Sequence, residues 1–166
     1  LKASSSATFK IDKQNTQIKQ KKDKPPPPFI TSTLQQEAHS KCGFSSKMTM
    51  KVAQELYEAG RITYMRTDST SLSNDAMKMI KEYVGTTYNI QLFSDNNSIS
   101  SKKSKNAQEA HEAIRPTKMK KTFDGSKEQI KLYELIFNRT ISSQMLPAVY
   151  EELSINILQS VNNDIF

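Results

Sequence analysis

The chain has 166 residues, 36% of them hydrophobic, and carries 24 Lys and Arg against 17 Asp and Glu, a formal charge of +7. That length suits one globular domain with a small annex, and the lysine-dominated charge points to a polyanionic partner, nucleic acid before an acidic membrane surface. The absence of any apolar run near the roughly 20 residues of a membrane span, and of a signal-peptide layout at the N-terminus, leads us to expect a soluble, cytoplasmic protein.

Cys42 is the single cysteine. It excludes an intramolecular disulfide framework, and with two histidines far apart a structural zinc site is not expected. Cys42 reads as a small, partly buried residue.

Residues 1 to 28 are rich in Lys, Gln and Ser and end in "KQKKDKPPPP". Four successive prolines exclude a helix interior and favour an extended linker. Before it, "ATFKID" alternates apolar and polar residues as a half-buried strand does, and "YEELSINILQSV" at 150 to 161 is its natural partner, with Leu153, Ile155 and Ile157 on one face. Either the two ends pair with each other, or both belong to a neighbouring domain; the abrupt start and finish favour the second.

Helical signals follow. Thr33 and Gln36 fit a capping box that starts a short helix near "TLQQEAHSK". In "SSKMTMKVAQELYEAG", Met48, Val52 and Leu56 recur at four-residue steps beside Ala53 and Tyr57, and Gly60 supplies a C-terminal stop. "SNDAMKMIKEYVG" repeats the scheme, with Ser73 as cap, Ala76, Ile80, Tyr83 and Val84 as the buried stripe, and Gly85 as terminator. From Asn89 to Lys105 the sequence is polar and reads as a loop. The last helix starts at a Ser126–Gln129 capping box and runs through Ile130, Tyr133, Ile136, Phe137 and Ile141 until Pro147.

Between the second and third helices lies "GRITYMRTDSTSLS". If residues 62 to 68 are extended, Tyr64, Arg66 and Asp68 project from one face while Met65 and Thr67 point away. A phenol beside a guanidinium suits attack on a phosphodiester, with Arg66 holding a non-bridging oxygen and offsetting the charge that builds up. The phenol needs that help, since its reference pKa is about 10. From spacing alone the favoured reading is a half-buried strand Tyr64 with Arg66 paired to Asp68. Catalysis requires an exposed Tyr64 hydroxyl; a structural tyrosine has it packed or hydrogen-bonded.

"QEAHEAIRPT" places His111 and Arg115 four apart, on one face if the segment is helical, with Pro116 ending it. Two such donors are able to clamp a phosphate. The alternative is a solvated His111 and an Arg115 paired with Glu109 or Glu112. His39 reads as a surface residue. The lysine groups at 19 to 24, 102 to 105 and 118 to 121 suit a nucleic-acid backbone or simply a solvated face.

The runs "PPFITSTLQQEA", "AQELYEAGRITYMRTDSTSLS" and "QEAHEAIRPT", in this order, resemble the signature runs of the type IA DNA topoisomerases, in their bacterial topoisomerase I branch. With the intervening helices the resemblance covers about residues 25 to 148. It implies a mainly α fold: a helical tyrosine domain over 25–148, resembling the DNA-binding fold of the catabolite activator proteins, flanked at 1–24 and 149–166 by short strands of a β-rich hinge domain. It implies that Tyr64 cleaves one DNA strand and becomes joined to its 5′ phosphate. Arg66 would position the phosphate and stabilise the transition state, His111 would contact a DNA phosphate, and Arg115 and Asp68 match further motif positions at the DNA. The expected outcome is relaxation of negatively supercoiled DNA.

In that family a separate Toprim domain supplies a glutamate and an Asp-x-Asp-x-Glu cluster, which no run of this chain matches. No metal site or cofactor is therefore expected here, and Mg2+ is expected only through the missing Toprim domain. The chain reads as a fragment, inactive alone, whose partners are DNA and the remaining domains of the same polypeptide. The alternative is a non-catalytic DNA-binding or interaction module with a structural tyrosine.

Overall fold

The computed structural model of the protein describes residues 9–94 and 112–159. It divides into two compact units, one comprising residues 1–24 and 147–166 and the other Pro25–Leu146.

The first unit is a two-stranded antiparallel ribbon of β1 (Phe9–Asp23) and β2 (Ala148–Gln159), so the two ends do pair. The register runs from Phe9 opposite Gln159 to Asp23 opposite Ala148, with an irregularity between Asp12 and Gln17. β1 continues through the Lys- and Gln-rich stretch that lacks apolar alternation and reads as linker. Cross-strand polar and charge pairing accounts for this: Gln20 faces Glu151, Lys19 faces Glu152, and Lys21 pairs with Glu152 at 2.6 Å. That hydrogen bond holds the Lys21 ammonium above its ordinary range. Cross-strand charge pairs of this kind support pairing that side-chain hydrophobicity does not. A two-stranded ribbon has no layer against which to bury a face. Ile11, Ile18, Leu153 and Ile155 are accordingly exposed.

The second unit is helical. After the prolines come α1 (Thr31–Glu37), a π-helical turn at Ala38–Cys42, α2 (Ser46–Glu58), α3 (Asn74–Thr87), a 3-10 turn at Ile90–Leu92 and α4 (Lys127–Ser142). α1 begins two residues before the expected capping box. Thr33 is its third residue rather than its cap, and its hydroxyl reaches back to accept from the Ile30 amide at 3.1 Å. α2 is capped by Ser45, α3 by Ser73 and α4 by the Ser126–Gln129 capping box, each side chain accepting from an amide of the first turn.

Most of the predicted apolar stripe is buried: Val52, Ala53 and Leu56 of α2, Ala76, Ile80 and Val84 of α3, and Tyr133, Ile136, Phe137 and Ile141 of α4. Met48, Tyr83 and Ile130 are only half-buried, and Leu132, outside the predicted stripe, is fully buried. Burial of each larger side chain is worth about 1.5–3 kcal/mol. Tyr57 departs from its stripe and is exposed. Gly60 ends α2 in the left-handed region at φ 65°. Gly85, by contrast, terminates nothing: it lies inside α3, where a Cβ would stand 3.3 Å from the Ile90 side chain. The polar stretch from Asn89 is ordered at its start, where Phe93 is buried and bridges to Met145. The remainder, 95–105, lies outside the described residues. Among the described residues no helix is long and apolar enough to cross a membrane.

Candidate active site

The segment Arg61–Asp68 joins α2 to the approach of α3 and is irregular rather than a strand; its one bridge is Ile62 to Pro116. From Tyr64 to Asp68 the predicted alternation nevertheless holds, although Ile62, two residues before Tyr64, is buried. Ile62, Met65 and Thr67 are buried in the core, whereas Arg66 and Asp68 are exposed and Tyr64 is 43% exposed. The buried residues anchor the segment, and from Tyr64 onward the burial of Met65 and Thr67 leaves Tyr64, Arg66 and Asp68 facing outward. Among the described residues the Tyr64 hydroxyl has no hydrogen-bond partner and Arg66 forms no ion pair with Asp68. The Tyr64 ring is steadied by the edge of Tyr57, with centroids 5.2 Å apart. An open cavity of about 480 Å3 lies alongside, lined by Thr31, Ser32 and Gln35 on the α1 side and by Arg66, Thr67 and Asp68 on the other.

Two other parts of the chain grip this segment. From α1, the Thr31 hydroxyl donates to the Met65 carbonyl at 2.8 Å and accepts from the Thr67 amide at 3.0 Å. The Thr31 amide donates to the Thr67 carbonyl at 3.0 Å. From the other side, the Thr63 hydroxyl donates to the Ala113 carbonyl at 2.6 Å and accepts from the Arg115 amide at 2.9 Å. The Thr117 hydroxyl closes the start of the segment by donating to the Gly60 carbonyl at 2.7 Å. The hydroxyl run after Arg66 is a chain of turns: Thr67 Oγ1 accepts from the Ser69 amide and Ser69 Oγ from the Ser71 amide.

The segment Glu112–Pro116 is not helical, which corrects the expectation of a helical face there. Ile114 pairs with Phe29 and Pro116 with Ile62 in isolated bridges. Arg115 is held by Glu112, as one of the two sequence readings has it: Nε donates to one carboxylate oxygen at 2.7 Å and Nη2 to the other at 2.8 Å, while Nη1 donates to the Pro116 carbonyl at 2.8 Å. The same Glu112 carboxylate accepts from the Ser73 amide at 2.7 Å. Burial pushes the Glu112 carboxyl up, but the hydrogen bonds from Arg115 and Ser73 outweigh it and hold the carboxyl below its ordinary range. His111 lies outside the described residues.

Sequence reasoning missed Thr31 and Thr63 as parts of this arrangement, and the bond from the Ser73 amide to Glu112. Their contacts span 34 to 52 positions in sequence, so only the threonines flanking "YMR" hinted at them. Among the described residues no group of three or more His, Cys, Asp or Glu is placed to hold a metal ion. The described side chains do not fit a magnesium site.

A family described as DNA topoisomerase matches residues 1–166. The chain therefore belongs to the DNA topoisomerase family. Among curated relatives it is similar to "DNA topoisomerase 1" of Xylella fastidiosa (strain Temecula1), 46% identical over 84% of this chain and 19% of the relative. It is also similar to "DNA topoisomerase 1" of Rickettsia felis, 47% identical over 96% of this chain and 22% of that protein. The chain thus spans about a fifth of the length of these relatives. The solved structure of full-length topoisomerase I from Thermotoga maritima matches 95% of the chain and 26% of its own length, at 35% identity and a TM-score of 0.77.

Proposed function

We propose that this chain is the nucleophile-bearing part of a type IA DNA topoisomerase. The helical Pro25–Leu146 unit serves as the tyrosine domain, of catabolite-activator type, and the ribbon as part of the adjoining hinge domain. The Tyr64 phenolic oxygen attacks a backbone phosphorus of single-stranded DNA. A phosphorus–oxygen bond to Tyr64 forms and the bond to the 3′ oxygen breaks. The phenolic proton is released, the departing oxygen is protonated to a free 3′ hydroxyl, and the 5′ phosphate stays on the protein. Religation reverses these steps, and strand passage between them relaxes negatively supercoiled DNA. Arg66, exposed and without a carboxylate partner among the described residues, holds a non-bridging oxygen and offsets its growing charge. His111, Asp68 and Arg115 are proposed DNA contacts, Arg115 through its position against Glu112.

The observation that carries this reading is the exposed Tyr64, whose hydroxyl has no partner among the described residues, on a segment whose neighbours are buried or hydrogen-bonded. A structural tyrosine would place that hydroxyl inside the fold. The chain lacks the Toprim half, so the test mixes it with a separately expressed Toprim-containing portion of a family relative, Mg2+ and single-stranded DNA. Covalent protein–DNA adduct is then measured after denaturation. An adduct that disappears in Tyr64→Phe supports the reading. No adduct, with association of both portions on DNA demonstrated, favours a DNA-binding module with a structural tyrosine.

A further inference from the structure

We infer that the hydroxyls of Thr31 and Thr63 are positioning groups for strand cleavage, which set the placement of Tyr64 and Arg66 through the backbone on either side of them; this rests on the roles proposed above for Tyr64 and Arg66. An irregular segment has no strand ladder to satisfy and fix its backbone polar groups, so other partners must do so.

Thr31 does this around Arg66. Its single hydroxyl bonds the Met65 carbonyl at 2.8 Å and the Thr67 amide at 3.0 Å, which belong to the two peptide groups that flank Arg66. Thr63 does it on the other side of the site. It directly precedes Tyr64, its hydroxyl bonds the Ala113 carbonyl at 2.6 Å and the Arg115 amide at 2.9 Å, and its own amide donates to the Arg115 carbonyl at 2.9 Å. Tyr64 therefore sits between two fixed points: Thr63, locked to 113–115, and the Met65–Thr67 stretch, locked to α1. Neither hydroxyl need touch DNA. Each acts through the backbone, while the polar atoms of Tyr64 and Arg66 have no partner among the described residues.

Valine has nearly the shape of threonine but makes neither hydrogen bond, whereas serine keeps the hydroxyl. A misplacement of about 1 Å at a reacting group costs on the order of 100-fold in rate. In the adduct assay above, at saturating DNA, Thr31→Val and Thr63→Val are expected to form adduct about 10- to 100-fold more slowly. DNA affinity should remain that of the unsubstituted chain, and Thr31→Ser should recover a rate within a few-fold of it. A merely structural role would lower folding stability without this separation of rate from affinity.

Valine variants that fold and cleave at the unsubstituted rate overturn the inference, as does a Thr31→Ser variant as slow as Thr31→Val. If Thr31→Val does not fold, Thr63→Val and Thr31→Ser, expected slow and near-normal respectively, decide the matter. An unsubstituted chain that forms no adduct overturns the proposed function, and the inference with it; an adduct insensitive to both threonines overturns the inference alone.

Discussion

The guanidinium of Arg115 grips the carboxylate of Glu112 through two hydrogen bonds of 2.7 and 2.8 Å, and that carboxylate also accepts from the amide of Ser73, the cap of α3. One ion pair thus ties the segment that clamps Thr63 to the start of the helix that follows the site. Because the folded-state Glu112 carboxyl lies below its ordinary value of 4.5, the unfolded chain binds the proton more readily. The pair's stabilisation is then fully present above about pH 4.5 and is lost as pH falls through the lower folded value. Glu112→Gln is expected to cost about 1–2 kcal/mol at pH 7. Denaturant melts from pH 3 to 7 should show the gap between the variant and the parent chain closing at the acid end.

Arg139 predicts a larger loss. It is nearly buried on α4, pairs with Glu37, donates to the Pro27 carbonyl at 3.2 Å and lies over the Phe29 ring at 4.4 Å. It holds the proline-rich entry against the helices. Arg139→Met leaves the Glu37 carboxylate with only Lys41, at 2.8 Å, and is expected to destabilise the chain by about 2–4 kcal/mol in chemical denaturation. Arg139→Lys should recover little of that, since an ammonium cannot reproduce the fork and the ring contact together.

The helices, and the caps of α3 and α4, were legible because they rest on short-range signals: a four-residue apolar repeat and a Ser three residues before the amide it accepts from. The outward face of Tyr64, Arg66 and Asp68 was legible for a similar reason, since Met65 and Thr67 between them are drawn into the core. Gly85 misled because its role is space for Ile90, a contact that composition does not encode. β1 was read too short because its length depends on acidic residues more than 120 positions away, with Lys21 paired to Glu152. The clamps by Thr31 and Thr63 were invisible for the same reason.

Gly60→Ala tests the turn into the site. Gly60 holds φ at 65°, and an added Cβ would meet nothing within 4 Å. The cost is therefore conformational alone, about 1 kcal/mol, and should appear as a modest fall in Tm.

Arg66→Ala separates charge stabilisation from folding. Arg66 is exposed and pairs with no carboxylate among the described residues, so its loss should leave Tm nearly unchanged. Adduct formation should nevertheless fall by about 100- to 1,000-fold, the usual effect of removing one donor from a developing anion.

The most direct test of the central claim is the identity of the covalent link. The adduct formed with the Toprim-containing portion is digested and the peptide joined to DNA is mapped, using strands labelled at either end. We expect the DNA on the peptide containing Tyr64, attached to the fragment that keeps the 3′ label, with the other fragment ending in a free 3′ hydroxyl. DNA joined to any other residue, or protein retained on the 5′-labelled fragment, would contradict it.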